Sequence, residues 1–183
     1  MAESKATHLK QLLLDHRPLD DRENSYHERM LRLLESSPDP FHRSHYEPGH
    51  FTASSFVLSP DKSQLLLIFH SKLHRWLQPG GHVDPSDPSI LHAAEREVLE
   101  EVGLTNLSLV HNQQPIFDLD IHRIPARKSE PDHCHFDVRF AFCAQDFKFR
   151  IGSDATEGKW VPLENISSIE SDESVMRAVK KLI

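Results

Sequence analysis

The segment from Arg96 to Leu104 constrains this chain more than any other, because it places three carboxylates on one short helical flank. At about 100° per residue, Glu97 and Glu101 are one turn apart and Glu100 lies beside them. Like charges four residues apart on a helix repel by about 0.2–0.5 kcal/mol. The helix end implied by Gly103 also carries the negative pole of the helix dipole, which disfavours anions. A bound divalent cation is the simplest compensation, and ligands made only of oxygen indicate Mg²⁺ or Mn²⁺ rather than zinc.

The same segment resembles the signature of the Nudix hydrolases, G-x5-E-x7-R-E-U-x-E-E-x-G-U, where U is aliphatic. The second half of the signature matches throughout. The first half differs, because the interval from Gly81 to Arg96 is one residue longer and its acid is an aspartate. The usual glutamate is matched either by Asp87, with the extra residue after it, or by Asp84 in the turn. The pair Asp87-Pro88 also predicts the start of a helix, with Asp87 as its N-cap and Pro88 at its first position.

The resemblance implies a metal site built from Glu97, Glu100 and Glu101, with a main-chain carbonyl near Gly81 as a further ligand. Glu100 and Glu101 are therefore also candidate catalytic residues. We expect Arg96 to assist catalysis by orienting one of these glutamates through a bidentate pair, rather than by touching the substrate.

A catalytic base is expected from outside the signature. Glu157, three residues before Trp160, resembles the E-x-x-W element that is frequent in the family. The preceding loop, residues 149–156, is predicted to be mobile, with Gly152 giving it freedom. Glu157 is therefore the candidate base or additional ligand. The alternatives are an ordinary exposed acid at this position and a metal-bound glutamate that acts as the base instead.

Strand-like alternation of polar and apolar residues from 133 to 137 places His133, His135 and Asp137 on one face. His122, on an adjacent predicted strand, can join them. This grouping indicates either a second metal or a phosphate-contacting site, and zinc is one alternative, although no closed set of four ligands is visible. His82, beside the glycine turn, is a further candidate for substrate phosphate. The competing interpretation is a strand that simply faces solvent.

The chain of 183 residues supports one domain with an appendage. Residues 1–45 are predicted to form a helical extension, from amphipathic patterns at 6–17 and 25–36. This extension is expected to pack on the main domain or on a second subunit, which would make a homodimer. Residues 46–183 are predicted to form the Nudix-like hydrolase domain. Strand patterns around a central helix, and a closing helix over 171–183 capped by Ser171, give an α+β fold. The resemblance implies an α/β/α sandwich with a mixed sheet.

The net charge of −7 argues against a generic nucleic-acid or anionic-membrane surface, which needs clustered basic residues. No apolar run reaches the roughly 18 residues that span a bilayer, and the start lacks a signal-peptide apolar core. Two cysteines make no disulfide framework, so a cytoplasmic location is expected.

Together these features predict a Mg²⁺-dependent hydrolase, with Mn²⁺ as a substitute. It would cleave a diphosphate bond in a small nucleotide-like substrate: a nucleotide sugar, ADP-ribose or a nucleoside triphosphate. The alternative is a non-catalytic nucleotide-binding module that retains the Nudix scaffold.

Overall fold

The computed structural model describes residues 4–127, 129–152 and 155–183. It begins with two helices, α1 (Lys5–Asp15) and α2 (Asp21–Ser36), close to the two predicted segments. Ser4 caps α1 by accepting a hydrogen bond from the Thr7 amide at 3.1 Å. The apolar side chains of α1 and α2 are buried in one cluster with residues of the sheet: Leu9, Leu13, Met30, Leu33, Phe51 and Phe136. The amino-terminal helices therefore cover the sheet of their own chain.

The strands form one mixed sheet. The bounds are β1 (Gly49–Leu58), β2 (Gln64–His70), β3 (Arg75–Leu77), β4 (Gly80–His82), β5 (Leu107–Leu109), β6 (Ile116–Ile124), β7 (His133–Ala144) and β8 (Ala155–Pro162). The central path runs β3-β2-β1-β7-β5, with β4 on β1, β6 on β7 and β8 on β2. Only β1 and β7 pair in parallel among the described strands. β1 is buried along its whole length, as expected for a strand covered on both faces.

The acidic helix α3 (Ile90–Val102) ends at Gly103, whose φ of 67° is left-handed, as the sequence predicts. Its N-cap is Ser89, whose side chain accepts from the His92 amide at 3.1 Å. The prediction that Asp87 caps this helix is therefore wrong. The Asp87 carboxylate is instead held by Arg96 within the turn that precedes the helix.

The carboxyl-terminal segment contains a 3₁₀ helix, Leu163–Ser168, and a short helix α4, Glu173–Val179. The predicted helix over 171–183 is thus too long, and its cap is Asp172 rather than Ser171. The Ser171 hydroxyl donates to the Trp76 carbonyl at 2.6 Å instead, so it is not available as a cap.

Helices cover both faces of the sheet. Alternate residues of β1 point in opposite directions, so that Phe51 packs with α1, α2 and α3, whereas Phe56 packs with α4. This arrangement confirms the predicted α/β/α sandwich with an amino-terminal pair of helices. It also places the carboxyl-terminal half of α3 over the centre of the sheet, where Val98 and Val102 contact the cluster around Val57.

Candidate active site

Arg96 organises the acidic end of α3. Its Nε and Nη2 donate to the two oxygens of Asp87 at 3.1 and 2.9 Å. Its Nη1 donates to Glu97 at 2.8 Å and to Glu100 at 3.1 Å, and Nη2 also donates to the His82 carbonyl at 2.8 Å. One guanidinium thereby ties two of the three signature glutamates to the strand β4.

The structure distinguishes the two candidates for the first acid of the signature. Asp87 is 2% exposed and forms the fork-like pair with Arg96. Asp84 is exposed, and its carboxylate accepts hydrogen bonds from the amide and hydroxyl of Ser86. Burial and the pairing with Arg96 therefore favour Asp87 over Asp84 as the counterpart of the usual glutamate.

The glycine turn faces the glutamates directly. A Cβ on Gly81 would lie 2.6 Å from Oε1 of Glu97, so only glycine lets this carboxylate approach the main chain of β4. The amide of Gly80 donates to Oε2 of Glu101 at 2.8 Å. Burial raises the pKa of Glu97, and the neighbouring Arg96 opposes that rise only in part.

The donor set of this site fits a hard divalent cation. Asp87, Glu97, Glu100 and Glu101 bring four carboxylates to one end of α3 and the adjoining turn, and Arg96 supplies one positive charge to them. The sequence reasoning did not foresee how much of the repulsion Arg96 itself relieves. Carboxylate oxygens are the ligands that Mg²⁺ and Mn²⁺ prefer, so the donor set matches these ions.

Glu157 comes from a different element than the α3 glutamates. It is exposed on β8, opposite Phe69 of β2. Among the described residues no hydrogen bond or ion pair joins it to the α3 glutamates. The loop in front of it includes residues 153–154, which lie outside the described residues. The described part is anchored, because the Gly152 amide donates to the Glu101 carbonyl at 2.8 Å. A Cβ on Gly152 would clash with the Glu100 carbonyl. This glycine therefore allows the loop to approach α3 closely, rather than making the loop flexible as predicted.

The predicted histidine strand belongs to a larger cluster. His133 and His135 of β7 lie against His50 of β1, with ring centroids 5.2 and 4.8 Å from that of His50. The ring of His82 lies 5.1 Å from that of His50, and the ring of His122 lies 5.4 Å from that of His135. The sequence reasoning missed His50. Its position follows from the parallel register in which His50 pairs with His135.

Burial favours the neutral form of two histidines in this cluster, His50 and His135. Burial, with a smaller effect of neighbouring histidines, lowers the pKa of His50 to about 4, although a hydrogen bond to the His45 carbonyl opposes this shift. Burial, followed by His122 and His50, lowers the pKa of His135 to about 2.

Asp137 does not face the histidines as a free acid. It is 3% exposed and accepts hydrogen bonds from Thr52 at 3.1 Å and Ser54 at 2.7 Å. Arg139 donates to the same carboxylate at 2.9 Å. This engagement argues against the predicted substrate contact by Asp137, because both of its oxygens already have partners.

Comparison with known proteins gives the family. A family model of the NUDIX domain matches residues 49–182, so the chain belongs to the Nudix family. This membership confirms the enzyme class expected from the signature, a Nudix-type hydrolase, and hydrolases of this family generally need a divalent metal.

Solved structures share the fold. A NUDIX-family hydrolase from Clostridium perfringens has a TM-score of 0.55 at 24% identity, covering 73% of this chain and 95% of that one. The NUDIX domain of Shewanella oneidensis NrtR, complexed with ADP ribose, has a TM-score of 0.53 at 16% identity, with 72% and 84% covered. A C. elegans Ap4A hydrolase has a TM-score of 0.51 at 21% identity, with 72% and 93% covered.

One curated relative matches over a shorter stretch. An uncharacterized 17.7 kDa protein of Enterobacteria phage T4 is 42% identical over 55 residues, which make up 30% of this chain. The match spans only 34% of the length of that relative.

Within the described ranges, none of the helices combines the length and apolar character that a bilayer-spanning segment requires.

Proposed function

We propose that this chain is a divalent-metal-dependent hydrolase that cleaves a diphosphate bond by water attack on phosphorus. The substrate class is a nucleoside diphosphate linked to another group: a nucleotide sugar, ADP-ribose or a nucleoside triphosphate. The observation that carries the proposal is the approach of Glu97 to Gly81, in a network where Arg96 also holds Glu100.

The residues of the site have separate tasks. Glu97, Glu100, Glu101 and the Gly81 carbonyl would hold Mg²⁺, with Mn²⁺ as a substitute. When bound, such an ion draws charge from the breaking P–O bond and helps to place the attacking water. Arg96 keeps Glu97 and Glu100 in position, because its planar fork fixes three carboxylates and a main-chain carbonyl at once.

The proton of the attacking water needs an acceptor. We assign Glu157 to this task or to an additional ligand position, because it matches the E-x-x-W element and precedes Trp160 on β8. Its side chain is exposed, so it is accessible to water and substrate. A signature glutamate that also binds the metal is the other candidate.

The proposed substrate class is supported by the ligands and activities named for similar folds. The Shewanella domain is complexed with ADP ribose, and the C. elegans protein is an Ap4A hydrolase. We retain His82 as a proposed phosphate contact, because it follows Gly81 directly on β4. His133 and His135 converge with His50 as potential metal ligands, so we do not assign them to substrate binding. A cytoplasmic location belongs to the same proposal, in keeping with two unpaired cysteines.

The test is product release from a panel of nucleotide sugars, ADP-ribose, nucleoside triphosphates and dinucleoside polyphosphates, with and without Mg²⁺. The proposal predicts hydrolysis of at least one compound, lost in EDTA and restored by Mg²⁺ or Mn²⁺. Binding without turnover across the whole panel would favour the nucleotide-binding module and contradict the enzyme.

A further inference from the structure

The histidine cluster contains three ring nitrogens that converge. Potential ligand atoms of His50, His133 and His135 all lie within 4.8 Å of one another. The three residues lie on the paired strands β1 and β7, where backbone hydrogen bonds fix their Cα positions. A site built on strands is held more rigidly than one built on loops.

The hydrogen bonds of the rings define which nitrogen is available. Nδ1 of His50 lies 3.1 Å from the His45 carbonyl, and Nδ1 of His133 lies 2.8 Å from the Pro131 carbonyl. A carbonyl only accepts, so in each neutral ring Nδ1 carries the proton and Nε2 carries the lone pair. This pattern, a ring N–H held by a carbonyl, is the usual support of a metal-binding imidazole.

The lone pair of His50 is left without a partner. Its side chain is 0% exposed, and Nε2 is buried with no hydrogen bond to any described atom. A buried acceptor without a partner costs about 1–3 kcal/mol. An ion shared with His133 and His135 would remove this cost.

The cluster is reachable from solvent. A surface cavity of about 370 Å³, lined by residues that include Tyr46, Arg123 and His133, borders the cluster. His135 is only partly buried, and His122 beside it is exposed. An ion and a fourth ligand therefore have a route to the three nitrogens.

We propose that His50, His133 and His135 form a binding site for one Zn²⁺-class ion, with a fourth position left for water or an anionic ligand. Imidazole nitrogens select borderline metals such as Zn²⁺ and Co²⁺, whereas the carboxylates of α3 suit Mg²⁺ and Mn²⁺. Three histidines with an open fourth position form a known type of zinc site, with Zn–N distances of about 2.0–2.1 Å. The site is chemically separate from the carboxylates, and it does not depend on diphosphate hydrolysis.

The first test is metal binding by the full chain after removal of metals with EDTA. Zn²⁺ affinity is measured by competition with a chromophoric chelator, and Co²⁺ is followed by its visible d–d absorption. The E97Q/E100Q/E101Q variant, which lacks the proposed carboxylate site, should bind one ion at the histidine cluster, and the wild type should bind an ion there with the same affinity. H135Q should weaken binding by more than about 100-fold, because loss of a supporting residue alone costs about 10–100-fold.

The controls separate this site from other histidines and from unfolding. H111Q removes an exposed histidine outside the cluster and should bind as the wild type does. His50 is fully buried, so H50Q is used only if circular dichroism shows that it folds. H135Q and H133Q test the proposal independently of it. Zinc binding that survives in H133Q and H135Q, or that is lost in the E97Q/E100Q/E101Q variant, would overturn the proposal.

The second test identifies the ligands by X-ray absorption at the zinc edge of the E97Q/E100Q/E101Q variant. The expected spectrum has a nitrogen shell at about 2.0 Å with the outer-shell scattering of imidazole. A shell of oxygen without imidazole scattering, or no zinc retained at one equivalent, would contradict the site.

Discussion

Arg96 shows how one side chain can stabilise an arrangement that is unfavourable by itself. The repulsion between Glu97 and Glu100 is relieved by a shared Nη1 donor, and Asp87 anchors the other side of the guanidinium. Arg96 does not need to touch the substrate in order to matter. Arg96 acts by positioning the carboxylates that would bind the metal. A change at Arg96 should therefore alter the dependence of activity on metal concentration.

Substitution of Arg96 by lysine should lower kcat by about 10–100-fold and raise the Mg²⁺ concentration needed for half-maximal activity. A single ammonium cannot hold Asp87, Glu97 and the His82 carbonyl together. The measurement is kcat as a function of Mg²⁺, with exposed Arg32→Lys on α2 as the control. An unchanged Mg²⁺ dependence would remove Arg96 from the site.

Replacement of Glu100 or Glu101 by glutamine should lower turnover by at least about 100-fold, which corresponds to about 2.7 kcal/mol of activation free energy. Glutamine keeps an acceptor for the Gly80 amide, so the turn is preserved at position 101. The free energy of unfolding should change little, because the loss of repulsion among the acids is offset at position 100 by the loss of the charged partner of Arg96. Glu95→Gln, exposed on the same helix, is the matched control. Full activity in both site variants would exclude them from the metal site.

At the scale of elements, a buried carboxylate joins the amino-terminal helices to the rest of the molecule. Glu23 of α2 is 0% exposed. It pairs with His16 at 2.9 Å and Lys181 at 2.7 Å, and it accepts from the Leu119 amide of β6 at 3.2 Å. The amino-terminal extension is thus connected to the sheet and to the carboxyl terminus by charge as well as by apolar packing.

The Glu23→Gln substitution should lower the free energy of unfolding by about 2–3 kcal/mol, because charge-assisted hydrogen bonds are replaced by neutral ones at a buried position. Urea denaturation followed by circular dichroism measures the change. Glu28→Gln, exposed on the same helix, should change stability by less than about 0.5 kcal/mol. Equal stabilities of the two variants would show that the buried network does not stabilise α2.

The elements also show what the sequence could predict. Apolar periodicity located α1 and α2, and Gly103 fixed the end of α3. It did not find the 3₁₀ helix at Leu163–Ser168, which has too few residues for a periodic pattern. The pattern also predicted α4 to begin too early, at Ser171. The Ser171 hydroxyl instead donates to the Trp76 carbonyl, a contact that depends on the folded chain.

At the scale of the whole molecule, pairing between distant strands decides the side-chain clusters that the sequence alone could not show. The signature residues are close together in the chain, so the carboxylate group was predictable. His50 and His133 are separated by a long stretch of chain and meet only through the parallel pairing of β1 with β7. Asp137 was misjudged for the same reason, since Thr52 and Ser54 come from β1.

The stability of the whole molecule should fall in acid. Burial alone would raise the pKa of Glu23, but hydrogen bonds from His16, the Leu19 amide and Lys181 outweigh it and lower the pKa from 4.5 to about 2. The unfolded chain therefore binds the proton more readily than the folded one. The contribution of Glu23 is complete above about pH 4.5 and is lost as the pH falls toward 2.

Unfolding free energies of the wild type and Glu23→Gln, measured from pH 7 to pH 3, check this dependence. The difference between the two proteins should be largest at neutral pH and should shrink below about pH 4.5. A difference that stays constant down to pH 3 would show that Glu23 is not titrating as the structure indicates.

The central claim is that the acids at the end of α3 hold divalent ions. A crystal of the full chain soaked in Mn²⁺ tests it most directly, through anomalous scattering. An anomalous peak is expected among Glu97, Glu100, Glu101 and the Gly81 carbonyl, with oxygen ligands. Glutamate side chains turned into solvent, with no peak between them at saturating Mn²⁺, would contradict the account.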